Sequence, residues 1–179
     1  MINVGANKGY LAAAFLNLFG EEYVTPHRWL AKIRQYAQEK HLGYLKFDPC
    51  GACHECWKQP NAGKRRNISA RGGQVHLLEL MPSTRALLHH LRQAFNLERS
   101  ITIHEMAASN ETKVVPAPDA FYTHLSGQES SSLRSTGYIQ RRVKKSHRQL
   151  PRWLNLTTVD DLMDQHGLQN VYQVLIDTE

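Results

Sequence analysis

A chain of 179 residues, 41% hydrophobic and 21% charged, is long enough to bury one core and has ordinary soluble composition, so one domain is expected. No apolar run approaches the roughly 18 residues of a bilayer-spanning helix. The apolar stretch from Tyr10 to Phe19 lacks the basic flank of a secretory leader, and a soluble chain, leaning towards the cytoplasm, is expected. The formal net charge is +6, concentrated in Lys64-Arg65-Arg66 and between Arg141 and Arg148. Such runs permit an anionic partner, but without interleaved aromatics to stack bases they read as solvated basic surface, and nucleic acid is not the expected partner.

Ile2 to Val4 reads as a short strand that runs into Gly5-Ala6-Asn7-Lys8-Gly9, a glycine-bounded turn, and then into a helix. Glycines at both ends let the backbone turn tightly and come close to a ligand where a Cβ would clash. The spacing is neither the dinucleotide pattern G-x-G-x-x-G nor a Walker loop. Leu11, Ala14, Phe15 and Leu18 recur at helical spacing, with Gly20 placed as the terminating glycine. The helix N-terminus would aim its free N–H groups across the turn, with Asn7 and Lys8 on the rim.

Thr25-Pro26 is an N-cap followed by proline at the first helical position, and Trp29, Ile33, Tyr36 and Ala37 form an apolar stripe ending near Lys40. Beyond it periodicity is lost, so 21–73 reads as a loop-rich insertion with one helix. Within it Cys50, Cys53 and Cys56 make two overlapping C-x-x-C spacings. Zinc is the metal this pattern suits, with His41, His54 or His76 as a fourth ligand; free thiols and a redox pair are the alternatives. An iron–sulfur motif would need cysteine where Pro60 stands.

Val75 to Leu78 is a compact apolar run ending at Glu79, as in a buried parallel strand. A carboxylate there can accept hydrogen bonds from both hydroxyls of a ribose. In an uninterrupted unit that acid follows the glycines by roughly 20 residues; Glu79 follows Gly9 by about 70, which makes room for the insertion. Pro82 opens a helix with Leu87, Leu88, Leu91 and Phe95 on one face, closed by Asn96, with His89 and His90 towards its exposed side. Ile101, Ile103 and Glu105 alternate with Thr102 and His104, so a third strand is predicted to about Met106, leaving Ala107 and Ala108 at its end where small residues would admit a flat base. Residues 110–156 read as an irregular excursion with at most one hairpin. Thr158 and Asp161 make a capping-box-like helix start, Gly167 ends that helix, and Val171 to Ile176 is a fourth strand leading to Asp177 and Glu179.

Strands ending in a glycine turn, an acid, small residues and an acid follow the rule for an open α/β sheet, whose ligand lies at the carboxyl ends of its strands. Val4 to Tyr10 resembles the first motif of the FkbM-type methyltransferases, Asp-Val-Gly-Ala-Asn-x-Gly-Tyr. Leu78 to Pro82 is similar to their Glu-Pro-x-Pro, Ala107-Ala108-Ser109 to Ala-Leu-Ser, and Val174 to Glu179 to Lys-Ile-Asp-Val-Glu-Gly; Gly127 to Leu133 also resembles a family segment. Asn3 stands where the family usually has Asp.

The resemblance implies a Rossmann-like, class I methyltransferase sheet, doubly wound, of which 1–179 is the first half. It also implies S-adenosylmethionine held by Asn3, Gly5, Ala6, Asn7, Gly9, Glu79, Ala107 and Ala108, and methylation of a hydroxyl on a small molecule or glycan. Asp177 is the candidate for removing the acceptor's proton or positioning it; holding the cofactor or the sheet edge is the alternative. Because the chain stops one residue before the family's Gly, a partial domain is expected that binds cofactor weakly or not at all at this length. The second reading is a non-catalytic, zinc-stabilised basic module that binds nucleic acid, or an inactive fragment.

Overall fold

Residues 1–6, 8–20, 24–40, 72–116 and 153–176 are described by the computed structural model of the chain. Four strands, β1 (Ile2–Val4), β2 (Val75–Leu78), β3 (Ile101–His104) and β7 (Val174–Ile176), form a parallel sheet in the order β3-β2-β1-β7. Parallel strands joined by helical crossovers are covered on both faces and so become apolar throughout; Ile2, Val4, Val75, Leu77 and Leu78 are all buried. Three helices, α1 (Tyr10–Phe19), α2 (Pro26–Glu39) and α3 (Pro82–Ala94), supply the larger core on one face, together with Val75, Leu77 and Ile101. A short helix, α4 (Val159–Gln165), covers the other face, where Leu162 packs with Ile2, Val4 and Leu78. This mixed α/β arrangement is compatible with a Rossmann-like fold. No helix among the described residues is long and apolar enough to cross a membrane.

The helix boundaries follow their caps. Thr25 accepts a hydrogen bond from the Arg28 backbone N–H, with Pro26 at the first helical position. Asn96 takes a left-handed conformation just past α3, and so does Gly167 past α4, relieving the last carbonyls of each helix. Replacing Thr25 with Ala strands one of the free N–H groups of α2 and should cost about 0.5–2 kcal/mol, read as a lower urea midpoint with an unchanged slope.

Four expectations change. Helix α2 belongs to the core layer: Trp29 and Ile33 are fully buried and α2 packs on both α1 and α3, so within 21–73 only the stretch after α2 can be insertion, and 41–71 lies outside the described residues. In α1 the buried residues are Tyr10, Ala12, Ala13, Phe15, Leu16 and Asn17, while Ala14 and Leu18 face outward and Leu11 is only partly covered. Gly20 terminates α1 as expected, in an extended conformation with its N–H bonded to the Leu16 carbonyl. The third strand stops at His104, because the chain bends at Glu105, whose carboxylate pairs with Arg85 of α3. Ala107–Ala108 is therefore a separate strand, β4, in a second sheet of order β4-β6-β5, where β5 is Lys113–Pro116 and β6 is Trp153–Thr157.

The excursion is framed by structure. Its ends pair antiparallel as β5 (Lys113–Pro116) and β6 (Trp153–Thr157), with Leu154 buried. This antiparallel pair frames the segment, and 117–152, with any hairpin of its own, lies outside the described residues.

Candidate functional site

The glycine turn leaves β1 at Val4 and is fastened to the neighbouring strand. The N–H groups of Gly5 and Ala6 both donate to the Leu78 carbonyl at the end of β2, at 3.1 and 3.3 Å, and the Gly9 N–H closes the turn on the Ala6 carbonyl at 2.8 Å. Gly5 and Gly9 both have φ of 71°, a region in which side-chain-bearing residues are strained. Gly9 has a second reason to be glycine: a Cβ there would lie 2.9 Å from both Leu88 Cδ2 and Trp29 Cζ2. From below, the Trp29 indole N–H donates to the Lys8 carbonyl at 2.8 Å, and the indole stacks on Phe95 with centroids 5.4 Å apart. The turn is therefore set by β2 on one side and by the aromatic core beneath it.

Helix α1 starts directly from Gly9 with no side-chain cap and no acid in its first turn. Its first N–H groups and the positive end of its dipole face back across the turn. Asn3, in the middle of β1, is buried, and its Oδ1 has no hydrogen-bond partner among the described residues. A buried amide oxygen left so is costly unless another donor completes it.

Glu79 lies immediately beyond Leu78, the residue whose carbonyl holds the turn, so the turn and the acid are neighbours at the carboxyl ends of β1 and β2. The acid is buried; its Oε1 accepts from the Met81 N–H at 2.8 Å, and its own N–H donates to the His104 carbonyl at 3.0 Å. The bond to Met81 fixes the carboxylate against the chain entering α3.

Of the residues expected at the site, Gly5, Ala6, Gly9 and Glu79 lie together at the carboxyl ends of β1 and β2, and Asn3 lies in the middle of β1 opposite Leu77. Ala107 and Ala108 are partly buried, pair with Leu156 and Thr157, and Ala108 packs with the cluster under α4; they follow the end of β3 as a strand of the second sheet. Asn7, Asp177, the three cysteines and both basic runs lie outside the described residues. No group of three His, Cys, Asp or Glu side chains among the described residues is placed to hold a metal ion.

His76, weighed as a zinc ligand, lies on the α4 side of β2 and shares a hydrogen bond with His104, Nδ1 to Nε2 at 3.0 Å. The buried position of His104 escapes a reading of β3 by alternation, because a sheet covered on both faces buries its polar-looking side as well. Trp29 and Lys8 are likewise structural supports that motif spacing does not reveal; the signal was the tryptophan opening the α2 stripe.

No protein-family model matches this chain, and neither a curated protein nor a solved structure matches it.

Proposed function

We propose that this chain is part of an S-adenosylmethionine-dependent methyltransferase that methylates a hydroxyl oxygen of a small molecule or glycan. The observation that carries the reading is the turn bounded by Gly5 and Gly9, both at positive φ, fastened to the Leu78 carbonyl beside the buried carboxylate of Glu79. Its resemblance over Val4 to Tyr10 to the FkbM-type motif supplies the identity of the ligand. The residues present fit it: Asn3 Oδ1, in the middle of β1, is a buried acceptor with no hydrogen-bond partner among the described residues, and the N-terminus of α1, which has no side-chain cap, faces back across the turn; a zwitterionic amino-acid moiety brings both a donor and a carboxylate.

In this reading the backbone at Gly5, Ala6 and Gly9 holds the cofactor close, the α1 N-terminus faces its carboxylate, and Glu79 accepts from the ribose hydroxyls. Bound S-adenosylmethionine supplies an activated methyl on a sulfonium, so the chain has to align the acceptor oxygen and take up its proton. Asp177 is proposed for the proton or for positioning. Both sheet neighbours of β1 are in place, and among the described residues the turn is fastened to β2 and to Trp29 of α2, so binding to this chain is proposed, at modest affinity.

A titration followed by amide chemical shifts registers even weak binding. With S-adenosylmethionine added, the resonances of Gly5, Ala6, Gly9 and Glu79 should move together and saturate, while those of β5 and β6 stay put. Shifts confined to β5 and β6, or none at millimolar cofactor, would contradict the proposal.

A further inference from the structure

Three imidazoles on the far face of the sheet have no part in the proposed cofactor site. His76 in β2 and His104 in β3 point to the same side as Ile2, Val4 and Leu78, as their register requires. Their rings lie nearly parallel, 12° apart with centroids at 5.3 Å, and share the 3.0 Å hydrogen bond. His166, which caps the C-terminus of α4, packs its ring edge-on to His104 at 4.7 Å and lies 5.5 Å from His76. His76 and His104 are buried, and His76 Nε2 has no partner. We propose that His76, His104 and His166 form a proton-operated latch that holds α4 against the sheet while the rings are neutral and releases it on acidification.

The hydrogen bond between the two buried rings needs one proton and one lone pair. One added proton charges one of the two buried rings, and His76 Nε2 has no partner among the described residues to receive an N–H; a second sets N–H against N–H across 3.0 Å. Burial, foremost, and then positive neighbours together lower the pKa of each ring to about 4 from 6.5: His166 and the Met1 amino group act on His76, and His76 and His166 act on His104. From α4 come Asp160, Asp161 and Asp164, all exposed; Asp161 is held by Thr112 and by the Thr158 backbone cap. Strand β7 brings no charge within Val174–Ile176. The neighbours acting on the pair therefore oppose its protonation.

The other side of the latch is weak. Helix α4 has seven residues, of which only Leu162 is buried, so its attachment is drawn from the low end of local stability. Because the released rings bind protons more tightly than the packed ones, the latch is fully closed above about pH 6.5 and loses strength as the pH falls towards about 4.

This inference is independent of the methyltransferase reading, and native-state hydrogen exchange on the whole chain tests it. Between about pH 7 and about pH 4.5, protection of the α4 amides, corrected for intrinsic exchange, should fall roughly tenfold or more, while α3 amides keep theirs. His104→Gln, which keeps a hydrogen-bonding partner for His76, should flatten that fall. His166→Gln, at an exposed position that does not threaten folding, should move it to lower pH. An α4 that stays protected in the native chain, a fall that α3 shares equally, or an unmoved curve in His166→Gln overturns the latch.

Discussion

Replacing Trp29 with Ala should bring the chain to the edge of unfolding. The side chain is fully buried, stacks on Phe95 and touches the space that Gly9 leaves open; deleting so large a group from a packed core costs about 3–5 kcal/mol. The Lys8 carbonyl loses its indole donor as well, which adds about 1 kcal/mol if no other donor reaches it. Against a total stability of about 5–15 kcal/mol for a domain, that is a large share. Trp29→Phe should cost about 2 kcal/mol, since most of the packing survives and the hydrogen bond does not. Urea midpoints of the three proteins make the comparison. A loss below about 1 kcal/mol in Trp29→Ala would mean that the turn does not rest on the tryptophan.

The parts of the fold that could be read from the sequence are those fixed by local chemistry. Thr25-Pro26 and Thr158 with Asp161 state their helix starts through side-chain caps, and Asn96 and Gly167 state the ends through left-handed backbone. Val75 to Leu78 is apolar at three of four positions because the strand is central, and it ends where Glu79 was expected to end it. The buried face of α1 was not legible: Tyr10 to Phe19 is apolar at nearly every position, and only packing decides that Ala12, Ala13 and Leu16 meet the core.

Long-range pairing was equally silent. Lys113–Pro116 finds its partner in Trp153–Thr157, about forty residues on, and nothing local in either segment announces the other. The pairing of Ala107 and Ala108 with Leu156 and Thr157 has no local sign either, and β3 ends at His104 because the chain bends at Glu105, which pairs with Arg85. At the candidate site the glycines and Glu79 were readable because turn geometry and a strand-end carboxylate have sequence signatures. The supports of that site, Trp29 beneath Lys8 and the Leu78 carbonyl beside Gly5, have none.

The second large effect is expected at Glu79. Its carboxylate sits at the carboxyl end of β2, one residue beyond the carbonyl that anchors the glycine turn, and one oxygen already accepts from Met81. In the proposed complex the carboxylate also accepts from the ribose. Glu79→Ala removes the acceptor from both, and stranded polar groups cost about 1–3 kcal/mol, or roughly five- to 150-fold in affinity. Glu79→Asp keeps the charge but shortens the reach, so an intermediate loss is expected. Because Glu79 also braces the entry to α3, folding is checked first by urea midpoints, and affinities are compared only among variants that remain folded at the temperature used.

The most direct measurement is the dissociation constant of S-adenosylmethionine for the native chain and for folded Glu79→Ala, taken under one set of conditions. Measurable binding by the native chain that weakens at least fivefold in the variant is the predicted result, corresponding to about 1 kcal/mol or more. Equal affinity in both would contradict the ribose assignment, and absence of binding by the native chain would contradict the cofactor site itself.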